Sequence, residues 1–368
     1  EQKLKNYNNK TILVTGHTGF KGSWLSIWLN KLGARVVGVS DNVPYSPSNF
    51  EASNLSKIVE DHRINILDIE SLKKVFLQVK PDYVFHLAAQ PLVRKSYKFP
   101  IDTLLTNSIG TANVLESIRI LKNKVTAIMI TSDKAYDNIE QVWGYKETDN
   151  LGGKDPYSAS KGMAELVIKT YTNSFFNKEN LSEVRIGIGR AGNVIGGGDW
   201  SDDRIIPDCI KSWSQNKIVN IRNSNATRPW QHVLEPLSGY LQLGSQLNDS
   251  VDLNGEAFNF GPNTNQDFSV ADLINEMNKY LKNFKWSDIS SINDNMHEAK
   301  LLKLNCDKAL YELKWQSTLN FSETVKMTSE WYRDYYLGKK EAIIDLCNNQ
   351  LKEYIELAEE RNIDWSIK

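Results

Sequence analysis

Cysteine is scarce. Three residues in 368, Cys209, Cys306 and Cys347, lie far apart with no pairing or metal-ligand spacing. That excludes a disulfide framework and a zinc knuckle and fits a reduced, cytoplasmic chain. No His/Cys/Asp cluster suggests a metal. No apolar stretch approaches the roughly 18 residues of a membrane span. The polar start, EQKLKNYNNK, lacks the apolar segment of a secretory signal. An excess of one charge is missing too: 44 basic residues face 45 acidic ones. Nothing in that balance favours nucleic acid or a membrane surface as partner.

What is present is a core and an alternation. Hydrophobic residues make up 40% of the chain, and its length suggests about two domains of roughly 150 residues. TILVTG, ARVVGVS, PDYVFHLAAQ, VTAIMITS and VRIGIGRAG are strand-like. GSWLSIWLNKLG, SLKKVFLQVK, TNSIGTANVLESIRILK and PYSASKGMAELVIKTYTNSF, with Pro156 at its start, carry helical patterns. Strands alternating with helices predict βαβ units and a parallel sheet, and continuously apolar strands predict a sheet covered on both faces. The expected fold class is α/β, a Rossmann-type doubly wound sheet over residues 1–190. The pattern then loosens into a smaller C-terminal substrate-binding domain, residues 191–229 and 263–368, with a return to the first domain at 230–262.

TILVTGHTGFKGSWL places Gly16, Gly19 and Gly22 between a predicted strand and a predicted helix. The glycines allow a tight turn, close approach of a pyrophosphate and tight helix packing. The helix N-terminus adds free N–H groups. A dinucleotide is the expected ligand. Asp41, at the end of the second strand, suits the ribose hydroxyls and repels a 2′-phosphate. No arginine follows at once, which favours NAD over NADP; Ser40 is the alternative occupant of that position. Asp68, after the third apolar run, is placed to reach the adenine amino group or lies in a solvated turn. His17 in the glycine loop is expected to point to solvent. His86 and His232 are expected to be structural or to pack on the cofactor rather than to bind a metal. Trp200 and Trp230 fit either a nucleotide pocket or the core.

Tyr157 and Lys161 lie at i and i+4, on one helix face. A phenol with pKa about 10 is a poor base at neutral pH, and a nearby ammonium lowers that pKa. The same spacing recurs at Tyr335/Lys339 and Tyr336/Lys340, so context decides. Only the first pair follows a strand that ends in Ser132, Asp133 and Lys134.

These residues resemble the extended short-chain dehydrogenases/reductases that act on nucleotide sugars. The likeness runs over most of the chain, through TGHTGFKG, HLAAQ, TNSIGTANVLE, TSDKAY, YSASK and RAGNVIGGGDW. GHTGFKGSWL, TSDKAYDN and RPWQHVLEPLSGYL narrow it to the CDP-D-glucose 4,6-dehydratases. The resemblance implies that Ser132, Tyr157 and Lys161 serve hydride transfer, with Asp133 and Lys134 as the elimination pair. It implies NAD contacts from Gly16, Gly19, Phe20, Lys21 and Gly22, then from Asp41, Asp68 and Ile69. Leu87, Ala88, Ala89 and Asn107 would continue the cofactor site beside Tyr157 and Lys161. Gln90, Asn193, Arg204 and Arg228 would hold CDP-glucose. The relatives acting on dTDP-glucose carry Asp-Glu where this chain has Asp133-Lys134. The implied setting is deoxysugar and O-antigen synthesis by a cytoplasmic homodimer or homotetramer, joined through the helices near Thr106 and Tyr157. The rivals are a 4-epimerase of the same fold and a non-catalytic NAD-binding regulator. Asp133 and Lys134 argue against the first, the intact Ser132/Tyr157/Lys161 set against the second.

Overall fold

The computed structural model describes residues 2–177, 179, 182–221, 223–262, 268–289, 302–338 and 343–367. Lys339 and Lys340 lie outside the described residues. Seven strands form one sheet: β1 (Thr11–Thr15), β2 (Arg35–Ser40), β3 (Glu60–Arg63), β4 (Tyr83–His86), β5 (Val125–Ile130), β6 (Val184–Ala191) and β7 (Ala257–Phe260). Their order is β7-β6-β5-β4-β1-β2-β3, and every neighbouring pair is parallel. The order reverses between β1 and β4. A crevice at the strand ends is the usual place for a ligand in such a sheet.

Residues along each strand alternate between two cores. Ile12 and Val14 of β1 and Ile128 and Ile130 of β5 enter one; Leu13, Ala127 and Met129 enter the other. Both faces are covered, and this is why the strands read as unbroken apolar runs. On the first face lie α1 (Phe20–Lys31) and the C-terminal helices. On the second lie α2 (Ile69–Val79), α3 (Gly110–Arg119) and α4 (Pro156–Phe175).

One strand was not expected, and one helix needs correction. The unexpected strand is Glu60–Arg63, polar because it lies at the sheet edge and faces less core. The helix expected over residues 106–122 begins earlier, at Pro100, and is interrupted by a π turn over Leu105–Ile109 before α3. Gly110 follows that turn, where a Cβ would lie 2.4 Å from the Ile66 side chain.

Beyond β6 the chain forms α5 (Ile205–Ser214), α6 (Leu234–Asp249), α7 (Val270–Asn278), α8 (Phe321–Tyr336) and α9 (Ile343–Glu360), with three short strand pairs. Helix α6 packs against β5 and β6, while β7 extends the sheet beside β6. Glu235, buried in the first turn of α6, accepts from the backbone N–H groups of Thr318 and Leu319 and from the Tyr354 hydroxyl. The C-terminal segments are thereby tied to the helix that lies on the sheet. Trp28 of α1 meets Trp365 and Tyr354 edge-on at 5.7 and 5.8 Å. Trp200 and Trp230 are both buried; Trp200 sits among Trp331, Tyr332 and Tyr335. These tryptophans are core residues.

Candidate active site

The glycine loop joins β1 to α1 at the switch point. Gly16 has φ +78°, and a Cβ there would lie 2.7 Å from the Ala88 nitrogen. A Cβ on Gly22 would lie 2.0 Å from the Gly16 carbonyl oxygen. The helix must therefore start tight against the turn. Gly19 caps α1 without a side chain, so the first-turn N–H groups stay available to an anion. This cradle fits a dinucleotide pyrophosphate.

Thr15, at the end of β1, binds the segment after β4. Its carbonyl accepts from Leu87 N at 3.0 Å, and its hydroxyl accepts from Ala88 N at 3.3 Å. Leu87, Ala88 and Ala89 are thus brought over the glycine loop, each half-buried. His86 is locked between the Thr15 and Thr111 hydroxyls at 2.7 and 3.0 Å. Burial pushes its pKa down to about 3, so it is a neutral structural residue. His232 is likewise buried and lowered to about 3 by burial.

His17 does not point to solvent. It is fully buried beneath Gly38, whose Cβ would lie 2.3 Å from the ring. Its nitrogens meet Asp61 Oδ1 at 3.0 Å and Ser40 Oγ at 3.1 Å. Ser40 faces inward to this imidazole, while Asp41 is exposed beyond it and accepts from Asn42 N at 2.8 Å. Arg63 on β3 is in register with Ser40 and is held by Asp61 at 2.7 Å. The sheet supplies the arginine that the local sequence lacks. Asp68 is exposed and caps α2 by accepting from Ser71 N at 3.1 Å, with Ile69 opening the helix.

Ser132, Asp133 and Lys134 follow β5 as a single 3-10 turn. The Ser132 hydroxyl donates to Asp133 Oδ1 at 2.9 Å and accepts from Lys134 N at 3.2 Å. Asp133 is buried, and burial raises its carboxyl pKa against the pull of Lys134, Ser132 and Lys21. Its other oxygen faces Gly192, where a Cβ would lie 3.1 Å away. Lys134 is half-buried.

Helix α4 brings its pair to the same place. Pro156 opens it, and Asp155 caps it by accepting from Ser158 N at 3.0 Å. Tyr157 and Lys161 are both buried. Tyr157 is pushed up to about 12, chiefly by burial, while the neighbouring Ser132 hydroxyl and the charge of Arg204 work against the rise. Lys161 is lowered to about 8, again by burial, with Glu165 opposing. The phenol is therefore protonated at neutral pH, and its basicity has to come from positive charge placed beside it. Asn107, in the π turn, ties this helix to the β4 loop. It donates to Ser160 Oγ at 2.8 Å and to the Gln90 carbonyl at 3.1 Å, and accepts from Gln90 N at 2.8 Å. A π turn re-aims a helix locally and is frequent at functional sites.

The four expected sugar-nucleotide residues separate. Arg204 stands at the head of α5, paired with Asp199 at 3.1 Å, and its charge is felt by Tyr157 and Lys21. Gln90 is committed locally: its side chain bridges Leu92 and Thr103, which closes its own loop. Asn193 is exposed in the loop after β6, and Arg228 is half-buried, donating to the Thr227 carbonyl at 2.8 Å.

Lys21 was expected at the cofactor alone. It also converges on the chemistry. Burial lowers it to about 7, helped by Arg204 and Lys161 and opposed by Asp133. Beneath the site lies a buried pair the sequence reading missed, Glu165 with Arg190 at 2.8 Å. The available signal was a carboxylate four residues after Lys161, on the same face of an apolar helix. Among the described residues, no group of three or more His, Cys, Asp or Glu could hold a metal. Among them too, no helix is long and apolar enough to cross a membrane.

The CDP-glucose 4,6-dehydratase of Salmonella typhimurium is 44% identical over 339 residues, 90% of this chain and 93% of that one. Among solved structures, the epimerase Mth375 of Methanothermobacter thermautotrophicus superposes with a TM-score of 0.76 at 25% identity, covering 91% and 96% of the two chains. The UDP-glucuronic acid 4-epimerase of Bacillus cereus, in complex with UDP-glucuronic acid and NAD, gives 0.73 at 24% identity over 89% and 100%. The profile of the GDP-mannose 4,6 dehydratase family also matches this chain. That profile matches residues 13–328, and the chain belongs to this family of extended short-chain dehydrogenases/reductases.

Proposed function

We propose that the protein is an NAD-dependent nucleotide-sugar 4,6-dehydratase that converts CDP-D-glucose to CDP-4-keto-6-deoxy-D-glucose. One observation carries the choice within the fold: Ser132, Asp133 and Lys134 form one turn facing the Tyr157/Lys161 helix. Epimerisation at carbon 4 needs a hydroxyl, a tyrosine and a lysine. Elimination needs a second acid/base pair as well, and Asp133 and Lys134 supply it.

Gly16, Gly19 and Gly22, with the first turn of α1, would hold the NAD pyrophosphate. Phe20, Lys21, Asp41, Asp68, Ile69, the 87–89 segment and Asn107 complete that site. NAD, when bound, accepts the hydride of carbon 4 and later returns it to carbon 6. Tyr157 takes the proton of the 4-hydroxyl, with Ser132 as its hydrogen-bond partner and Lys161 as the cation that stabilises its phenolate. The resulting ketone acidifies the proton on carbon 5. Lys134 faces the task of removing it. Asp133, whose carboxyl burial favours in the protonated form, is suited to protonate the departing 6-hydroxyl. Arg204 and Arg228 suit the diphosphate, because a guanidinium fork pairs two phosphate oxygens. Asn193 and Gln90 belong to the same proposed subsite, Gln90 through the loop it closes.

The nucleotide rests on the likeness to the Salmonella enzyme. The glucose derivatives of CDP, UDP, dTDP and GDP, each incubated with enzyme and NAD+, test it. The expected result is alkaline absorbance of a 4-keto product and loss of one water by mass with CDP-glucose. An unchanged mass with altered stereochemistry would move the protein to the epimerases. No reaction with any of the four would leave only a binding role.

Cofactor choice gives a second expectation. Asp41 is exposed at the ribose end of β2, where a 2′-phosphate would meet like charge. Two unit charges at about 4 Å repel by about 1 kcal/mol even at the dielectric of water. Cofactor-stripped enzyme should regain activity with NADP+ at least about fivefold less effectively than with NAD+ at equal subsaturating concentration. Asp41→Ala should narrow the gap. Equal rescue by both in the parent would show that Arg63, not Asp41, governs this corner.

A homodimer is the expected assembly. Met163, Leu166 and Phe175 on α4 and Ile101, Leu105 and Ile109 before α3 are exposed apolar residues on neighbouring helices. Exposed apolar residues on elements that pack together support a helix-to-helix contact between two copies.

A further inference from the structure

Lys161 can stabilise a phenolate only as an ammonium, and the groups around it decide whether it stays one. Lys21 faces it from the glycine loop, and His86 faces it from β4. On its own helix Tyr157 lies one turn before it and Glu165 one turn after it. Lys21 is a like charge. His86 is neutral. Burial itself works against the ammonium, and Glu165 is the carboxylate that opposes this.

Glu165 is held with unusual completeness. Arg190 on β6 grips both its oxygens, Nε at 2.8 Å and Nη2 at 3.0 Å. The Thr131 hydroxyl donates to it at 2.5 Å. Thr131 is the residue before Ser132, and its own N–H is bound to the Gly189 carbonyl of β6 at 2.9 Å. The remaining arm of Arg190 donates to the Tyr136 hydroxyl at 2.8 Å and to the Glu147 carbonyl at 3.1 Å. Tyr136 passes the chain on to Asn259 of β7 at 2.8 Å. The network thus joins α4, which carries Tyr157 and Lys161, to the end of β5, which carries Ser132, Asp133 and Lys134. It also reaches the ends of β6 and β7.

Stability is a poor explanation for such a pair. Desolvating two charges is expensive, and well-packed apolar replacements of buried pairs are often neutral or stabilising. The pair's placement offers another reason. We propose that Glu165 and Arg190 form a positioning pair for the hydride-transfer step: the carboxylate, gripped by the arginine fork, holds Lys161 as an ammonium and fixes α4 against the end of β5. This rests on the dehydratase reading of the site. Arg190 is essential to the device because its fork fixes where the Glu165 carboxylate lies.

The sign of the effect follows. A carboxylate favours the charged form of a lysine, so its removal lowers the lysine pKa. Glu165→Gln should lose Lys161 protonation at a lower pH than the parent. Two readouts follow this in the full-length enzyme. The first is the rate of NADH appearance in a single turnover with CDP-glucose, measured across pH; its alkaline limb should move down by at least about one unit. The second needs no turnover: trace acetic anhydride labels Lys161 only as the free amine, and mass spectrometry of its peptide gives the midpoint. That midpoint should fall by a similar amount. The variant Thr131→Val, which removes a hydrogen bond but no charge, should leave both positions unchanged. Should Glu165→Gln fail to fold, Glu165→Gln/Arg190→Met removes both charges together and should show a smaller shift in the same direction, because the cation lost with Arg190 partly offsets the lost carboxylate. An unmoved alkaline limb with a uniformly reduced rate would mean a merely structural pair and overturns the proposal. So does an unmoved labelling midpoint. If the parent forms no NADH with any glucose nucleotide while the midpoint still falls, the dehydratase reading fails and the control of Lys161 by Glu165 stands.

Discussion

Tyr157→Phe should bind NAD+ as the parent does and lose NADH formation by about 10² to 10⁴. The change removes one oxygen and leaves the ring in its buried seat. The helix around it does not depend on the hydroxyl, since Pro156 opens it and Asp155 caps it. What is lost is the phenolic hydroxyl beside Ser132. That phenol stands at about 12 because of burial, so it must be converted into a base by positive charge from Lys161 and from the oxidised nicotinamide. Phenylalanine offers no site for the proton of the 4-hydroxyl, and His86 cannot replace it, because its ring is fully engaged by two threonine hydroxyls. Tyr335→Phe is the control. Tyr335 stacks on Trp331 at 5.6 Å within the core, and its ring contact survives the substitution. Near-parent NADH formation by Tyr157→Phe would remove it from the role of base.

The sequence made the sheet legible because its signals are local and redundant. Five of the seven strands are apolar runs with both faces covered, and four helices are readable in the segments between them. The edge strand Glu60–Arg63 was missed because an edge position asks for few apolar side chains. The last strand, Ala257–Phe260, and α6 were foreshadowed only as a return of the chain to the sheet. The glycine loop, Ser132, Tyr157 and Lys161 were legible because their context, strand then turn then helix, is itself written in the sequence. Long-range pairings were not. Arg63 beside Ser40, Asp61 under His17, and Glu165 against Arg190 arise from strand register and helix packing. At Gln90 and Asp68 a local motif leaves more than one role open: each side chain holds a loop or caps a helix, and no local signal separates that role from ligand contact.

The second large effect belongs to Lys134. With Lys134→Ala, a single turnover should still produce NADH but should stall before NADH is consumed, and solvent deuterium should enter carbon 5 slowly. The two halves of the reaction use different residues. Oxidation at carbon 4 depends on Tyr157, Lys161 and Ser132, which the substitution leaves in place. The Ser132 hydroxyl accepts from the backbone N–H of residue 134, not from its side chain, so the turn that positions Asp133 should persist. Elimination then requires one group to remove the carbon 5 proton and another to donate a proton to the leaving hydroxyl. Asp133 suits the donor role, because burial favours its protonated form. The acceptor role falls to its neighbour, half-buried beside it. A neutral amine there would take the proton, whereas a charged one would stabilise the enolate while another group moved the proton. Both mechanisms predict slow consumption of NADH. They differ in Lys134→Arg, which keeps the charge but cannot act as a base at neutral pH. Recovery by arginine of most of the NADH consumption would favour the electrostatic role; a stall as deep as that of alanine would favour the base. The loss on removing a general base is about 10² to 10⁴, so the stall should be visible as a long-lived NADH signal. If Lys134→Ala consumes its NADH and exchanges carbon 5 at the parent rate, Lys134 takes no part in elimination and Asp133 must work with a partner other than its neighbour.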